Sequence, residues 1–242
     1  MNEKIGIFDS GIGGVTVLRE IIKVIPDMDY IYYSDSINNP YGEKTKEELL
    51  EIVDNIINYF IKRKCKIIVF ACNTATALTI NEMRNKYKDL TLIGIEPAYK
   101  MVHDYNMDKK TLVMATPATI NSEKFQKLYM TYDNKNTILL PCPGLANIIE
   151  NNDTKEVLNY LNNTLPKNEK IEIVVLGCTH YPLIKKEIKE TLGDVLFYDG
   201  SVGVATRAKS LLTNNNGSGK VEFIDSSSSK EKKNRFYKLL NK

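Results

Sequence analysis

Histidine is scarce in this chain of 242 residues, which has two, His103 and His180. With no CxxC pair and no HExxH helix beside them, little material is left for a zinc or iron site, so neither a metal nor any other cofactor is expected. No apolar run approaches the roughly 20 residues needed to cross a bilayer. The N-terminal Lys4-Ile5-Gly6-Ile7-Phe8 enters a strand pattern without a signal-peptide core, so a cytoplasmic protein with no membrane partner is expected. Excess charge is missing too, since 33 Lys plus Arg face 30 Asp plus Glu. The basic residues are scattered rather than gathered with aromatics into a stripe, which removes the electrostatic footprint of a nucleic-acid binder. Four cysteines in a chain of this size, without a secretory signal, read as free thiols rather than staples.

What is present is alternation. Short β-rich runs at 5–8, 30–33, 67–71, 91–95, 112–115, 137–139, 171–176, 195–198 and 221–224 are separated by helical stretches. Several runs are almost continuously apolar, as in parallel strands covered on both faces. The clearest helix is expected over 44–64, where Leu49, Ile52, Val53, Ile56, Ile57, Phe60 and Ile61 recur at helical spacing. The fold class is therefore α/β, doubly wound, with mostly parallel sheets.

Two long-range echoes subdivide it. Val69-Phe70-Ala71-Cys72-Asn73-Thr74 and Val175-Leu176-Gly177-Cys178-Thr179-His180 each put a cysteine just after a buried strand, and Phe8-Asp9-Ser10 weakly matches Ala115-Thr116. Two pseudo-symmetric halves would produce both echoes, one built from 1–95 and 208–242 and the other from 96–207. Ligands of open α/β sheets sit beyond the carboxyl ends of the strands, so the polar segments should converge in a cleft between the halves. Segments 214–219 and 226–229 read as surface turns, the latter leading into a basic amphipathic tail helix, and neither is assigned a chemical role.

Cys72 and Cys178 sit beside small hydroxyl or amide side chains and ahead of expected helix N-termini, a setting that favours thiolate. Cys65 and Cys142 lack such neighbours and read as small hydrophobes. Asp9 opens Asp9-Ser10-Gly11-Ile12-Gly13-Gly14, whose glycines would let backbone amides approach a ligand. A phosphate loop is disfavoured because GxGxxG and the P-loop Lys-Ser/Thr are absent and the aspartate repels phosphate. Asp9 is left to contact an ammonium group, to tune a thiol, or simply to form a turn. His180, two residues past Cys178, could stabilise or shuttle that thiol's proton, the alternative being a packed or capping histidine. His103 has no polar motif around it, and Asn39-Pro40-Tyr41-Gly42 is a turn on any reading.

Taken together, the strings FDSGIGG from Phe8, NPYGEKT from Asn39, ACNTATA from Ala71, ATPATINS from Ala115 and LGCTHYPL from Leu176 resemble the glutamate racemases. The resemblance spans nearly the whole chain in order. It implies a pseudo-symmetric enzyme of bacterial cell-wall synthesis that interconverts L- and D-glutamate through two facing cysteines, Cys72 acting on D-glutamate and Cys178 on L-glutamate, without pyridoxal phosphate or metal. Carried over by motif, Asp9 and Ser10 line the substrate and assist the first thiol, while Pro40, Tyr41 and Gly42 form a substrate loop. Asn73, Thr74 and Thr179 become donors to the substrate carboxylates, and Thr116 and Thr119 belong to a threonine-bearing binding segment. His180 becomes the histidine beside the second thiol and Glu150 its glutamate partner, although the residues before Glu150 depart from the family pattern. The expected partners are glutamate and a second copy of the chain in a homodimer. Rival readings are an aspartate or broad-specificity racemase, a cysteine hydrolase built on Cys178 and His180 that would leave Cys72 unexplained, and a non-catalytic amino-acid-binding protein.

Overall fold

The computed structural model describes residues 4–106, 108–133, 135–212 and 217–242; positions 214–216 of the first expected surface turn lie outside them. The chain runs β1 (Lys4–Asp9), α1 (Val15–Val24), β2 (Asp29–Ser34), α2 (Lys46–Lys62), β3 (Cys65–Phe70), α3 (Asn73–Lys86) and β4 (Thr91–Gly94). It continues through α4 (Tyr99–Tyr105), β5 (Thr111–Ala115), α5 (Pro117–Ile120), α6 (Glu123–Tyr132), β6 (Thr137–Pro141), α7 (Leu145–Glu150), α8 (Thr154–Thr164) and β7 (Ile173–Gly177). It ends with α9 (Lys185–Leu192), β8 (Leu196–Asp199), α10 (Ser201–Leu211), β9 (Val221–Asp225) and α11 (Lys230–Leu240). Each strand expected from the sequence has its counterpart here, and the helix expected over 44–64 is α2. Thr45 starts that helix with a capping box, its hydroxyl accepting from the Glu48 amide while the Glu48 carboxylate accepts from the Thr45 amide.

Two parallel sheets form, in the orders β4-β3-β1-β2-β9 and β6-β5-β7-β8. Strand alternation sends Ile5, Ile7, Tyr30, Tyr32 and Val69 to one face of the first sheet, under α1, α10 and α11, and Phe8, Ile31, Ile68 and Phe70 to the other, under α2 and α3. The second sheet is sandwiched likewise, Leu112, Met114, Val174 and Leu176 packing on α7, α8 and α9, and Val113, Ala115, Ile173 and Val175 on α4, α5 and α6. Burial on both faces explains why these strands read as apolar runs rather than alternating ones. A division of the halves at 207/208 falls inside α10, whose Val204, Ala205 and Ala208 all belong to the first sheet's core. Among the described residues no helix is long and apolar enough to cross a membrane.

The topology places the site. In each sheet the first strand in sequence is flanked by the second on one side and the third on the other, so direction reverses between β1 and β3 and between β5 and β7. Such a switch point leaves a crevice outside the carboxyl ends. Asp9 ends β1 and Cys72 follows β3; Thr116 follows β5 and Cys178 follows β7.

Candidate active site

Both crevices open into one cavity between the sheets. Its wall includes Cys72, Asn73 and Thr74 from the first half and Cys178, Thr179 and His180 from the second, with Ser10, Pro40, Tyr41, Gly42 and Thr116. Cys72 is 6% exposed and Cys178 7%, so a reactant reaches either sulfur through this cavity.

The local settings of the two thiols differ. Cys72 is the N-cap of α3, and the Thr74 and Ala75 amides pull its pKa down. Burial and the nearby Asp9 carboxyl push it up more strongly, so the thiol lies well above its ordinary range, against the sequence expectation of a favoured thiolate. Cys178 is followed not by an α-helix but by a turn and a 3-10 segment, Tyr181–Ile184. Its Sγ lies 3.9 Å from His180 Nδ1.

Behind that pair runs a buried relay. His180 Nε2 and Glu150 Oε2 are 2.8 Å apart, and Glu150 Oε2 also accepts from the Ile12 amide at 3.1 Å. Burial pushes the Glu150 carboxyl up, but the His180 contact, Lys232 and the Ile12 amide outweigh it and bring it to about 2. Burial pulls the His180 imidazole down, and Cys178 with Glu150 outweighs that, holding it well above its usual value. The arrangement favours a protonated imidazole between a carboxylate and a sulfur.

The glycines of the first loop serve this relay rather than a ligand. A Cβ on Gly11 would sit 2.6 Å from Glu150 Oε2, and one on Gly13 2.5 Å from His180 Nδ1. The Ile12 and Gly14 amides are already engaged, with Glu150 and with Asp9 Oδ2 at 2.8 Å, so these two are not free to approach a ligand.

Asp9, Thr119 and Glu150 stand one layer behind the cavity wall. Asp9 is fully buried, its carboxyl raised by desolvation, and it accepts from the Thr179 hydroxyl across the halves at 3.3 Å. Thr119 accepts at 2.9 Å from the Thr116 hydroxyl, which also lies 2.9 Å from the Thr74 hydroxyl, so three threonines from both halves form one cluster. Tyr41 is fixed by its hydroxyl donating to Asp35 at 2.7 Å. Asn73 Oδ1 is buried without a hydrogen-bond partner, an acceptor available to a ligand. Cys65 is buried and away from the cavity, whereas Cys142 borders it, with a thiol that burial and Cys178 push up to about 12. His103 packs on the Tyr132 ring, apart from the cavity wall. No group of three or more His, Cys, Asp or Glu among the described residues is placed to hold a metal.

The Asp/Glu/Hydantoin racemase family model matches residues 17–207. The chain belongs to this family. It is an amino-acid isomerase of the glutamate racemase type. A glutamate racemase of Clostridium novyi (strain NT) is 46% identical over 217 residues, covering 87% of this chain and 84% of that one. The solved Escherichia coli glutamate racemase, in complex with L-glutamate and the activator UDP-MurNAc-ala, is 25% identical with a TM-score of 0.86, covering 98% and 96% of the two chains. That of Francisella tularensis, in complex with D-glutamate, is 27% identical with a TM-score of 0.83, covering 100% and 94%.

Sequence reasoning missed part of the cavity wall. Asn39, Glu43, Pro117, Pro143, Gly144 and Asn147 also line the cavity. The signal that could have found the last three is the Pro-Gly pair itself: Gly144 has φ +74° and starts α7 from the left-handed region, turning Asn147 into the cavity while α7 carries Glu150 behind His180. Lys232 and Arg235 of the tail helix, to which no role was assigned, reach Glu150 and the end of α7.

Proposed function

We propose that this chain interconverts L- and D-glutamate by a two-thiol mechanism, with Cys178 taking the α-proton from L-glutamate and Cys72 from D-glutamate, to supply D-glutamate for peptidoglycan. The observation that carries the reading is the equivalent placement of the two cysteines, after β3 and after β7, on one cavity. Solved relatives with L-glutamate and with D-glutamate support the substrate.

Racemisation removes a proton from one face of a carbon and returns one to the other, so it needs a base and an acid on opposite sides that exchange roles with direction. Cys178 is among the groups that raise the Cys72 thiol, so ionising one sulfur disfavours ionising the other, and one thiolate with one thiol is the state required. On the Cys178 side the sulfur has His180 Nδ1 at 3.9 Å, a group placed to exchange a proton with it. On the Cys72 side Asp9 opposes the thiolate, and the substrate ammonium supplies the missing positive charge. The carbanion is stabilised by donors aimed at its carboxylate; the hydroxyls of Thr74, Thr116 and Thr179 line the cavity and serve by turning from their present acceptors to the substrate. The cytoplasmic setting, the homodimer and independence from cofactors belong to the same reading. Light scattering tests the dimer, and chelator or carbonyl reagent followed by add-back tests the cofactor.

The decisive experiment is replacement of each cysteine. Cys72→Ala and Cys178→Ala should each abolish racemisation in both directions while glutamate still binds, and Cys65→Ala should leave the rate unchanged. Substantial racemisation by either of the first two would overturn the mechanism.

A further inference from the structure

The tail helix reaches both sides of the buried relay. On one side Phe236 packs against Tyr32, ring centroids 4.7 Å apart, and the Tyr32 hydroxyl donates at 2.9 Å to the carbonyl of Gly11, whose neighbour Ile12 holds Glu150. On the other side the Arg235 guanidinium donates to the carbonyls of Ile149, at 2.8 Å, and Glu150. Both carbonyls lie in the last turn of α7, where Ile149 also accepts from the Asn152 amide at 3.0 Å. One turn back along α11, Lys232 Nζ lies 3.1 Å from Glu150 Oε1, an ion pair without hydrogen-bond alignment, and donates to Ser36 at 2.8 Å. Glu150 Oε1 accepts no hydrogen bond, so this ammonium is its compensation in a side chain only 2% exposed.

We propose that Lys232 and Arg235 are positioning residues for the reaction: from α11 they fix the carboxylate and the backbone of Glu150, and through it the orientation of His180 beside Cys178. The proposal rests on the glutamate racemase reading above. Glu150 meets His180 and the Ile12 amide through Oε2, and Lys232 adds a third point of attachment at Oε1 that resists rotation of the carboxylate plane. Arg235 stops α7 from sliding along the relay. Neither residue lines the cavity, so neither touches substrate.

L- and D-glutamate have equal free energies, so kcat/KM must fall by the same factor in both directions and a directional comparison cannot locate the defect. A double-mutant cycle can. Lys232→Met should lower kcat/KM about tenfold, the loss of one charge-assisted contact to a buried carboxylate, and should also lower the thermal midpoint, because that charge is left uncompensated. Lys232→Arg should restore most of the rate. In a Glu150→Gln background, where the carboxylate charge is already gone, Lys232→Met should cost less than about twofold. Lys233→Met, on the exposed side of the same helix, should be neutral. Arg235→Met removes both guanidinium hydrogen bonds to the end of α7 and is expected to lower the thermal midpoint further, so Lys232 carries the test. A wild-type rate in Lys232→Met, no rescue by arginine, or an equal loss in both backgrounds overturns the proposal. A parent chain that binds glutamate without racemising it overturns instead the reading beneath it.

Discussion

Alanine at Gly13 would place a methyl carbon 2.5 Å from His180 Nδ1 and 2.7 Å from its Cγ and Cε1. Non-bonded contacts of this kind are comfortable near 3.5 Å, so the ring must retreat by roughly 1 Å. It has little room, being 1% exposed and tied through Nε2 to Glu150, which the Ile12 amide holds in turn. A 1 Å misplacement of a catalytic group costs about 100-fold in rate, and forcing a methyl into a packed interior costs about 1–3 kcal/mol. Gly13→Ala is therefore expected to lower kcat/KM about 100-fold in both directions while the thermal midpoint falls by only several degrees. Circular dichroism of each enantiomer against time gives the rates, and a melt of the same sample gives the stability. Gly203 is the control: it lies within α10 with open space around it, so Gly203→Ala should keep full activity and gain up to about 1 kcal/mol from helix propensity. A Gly13→Ala protein keeping roughly a third or more of the parental kcat/KM would refute the claim that this glycine exists to seat His180.

Acid should unfold the chain partly through Glu150. Its folded pKa of about 2 lies below the ordinary 4.5, so its stabilisation is complete above about pH 5 and is lost as pH falls toward 2, on the order of 3 kcal/mol in all. Denaturant titrations from pH 6 to 2 should show that loss, and Glu150→Gln should flatten it; parallel curves would contradict the assignment. His180 works with the opposite sign: its raised pKa contributes stability that is full below about pH 6 and lost as pH rises through the folded value, so His180→Gln should flatten the alkaline limb of the same titration. Glutamate should be turned over at least tenfold better than aspartate, because one fewer methylene leaves buried donors unpaired at about 1–3 kcal/mol each. Equal kcat/KM values for the two would remove the preference.

Parallel strands buried on both faces announce themselves as apolar runs, and for that reason the architecture and the equivalence of Cys72 with Cys178 were legible in the sequence. Less legible was what lies behind the cavity wall, because those contacts join positions far apart in the chain. Nothing local to Gly11 or Gly13 says that their missing side chains make room for Glu150 and His180. Nothing in a basic, amphipathic tail distinguishes Lys232 and Arg235, turned toward α7, from Lys233, turned outward. The thiolate expected at Cys72 failed for a related reason: a helix N-terminus can be read locally, whereas the desolvation that outweighs it depends on the whole surrounding fold.

The order of strands along the chain also sets an order of assembly. Every strand of the second sheet lies between Thr111 and Asp199, so that sheet has all its partners once this contiguous stretch has been synthesised. The first sheet must wait for β9, α10 and α11, which supply its edge and the Phe223 and Phe236 rings that close over Tyr32. A growing chain therefore carries both cysteines, His180 and Glu150 well before Lys232 and Arg235 exist to hold the relay. Docking of the last helix completes the contacts behind Glu150, and contacts of such long sequence separation are slow to form.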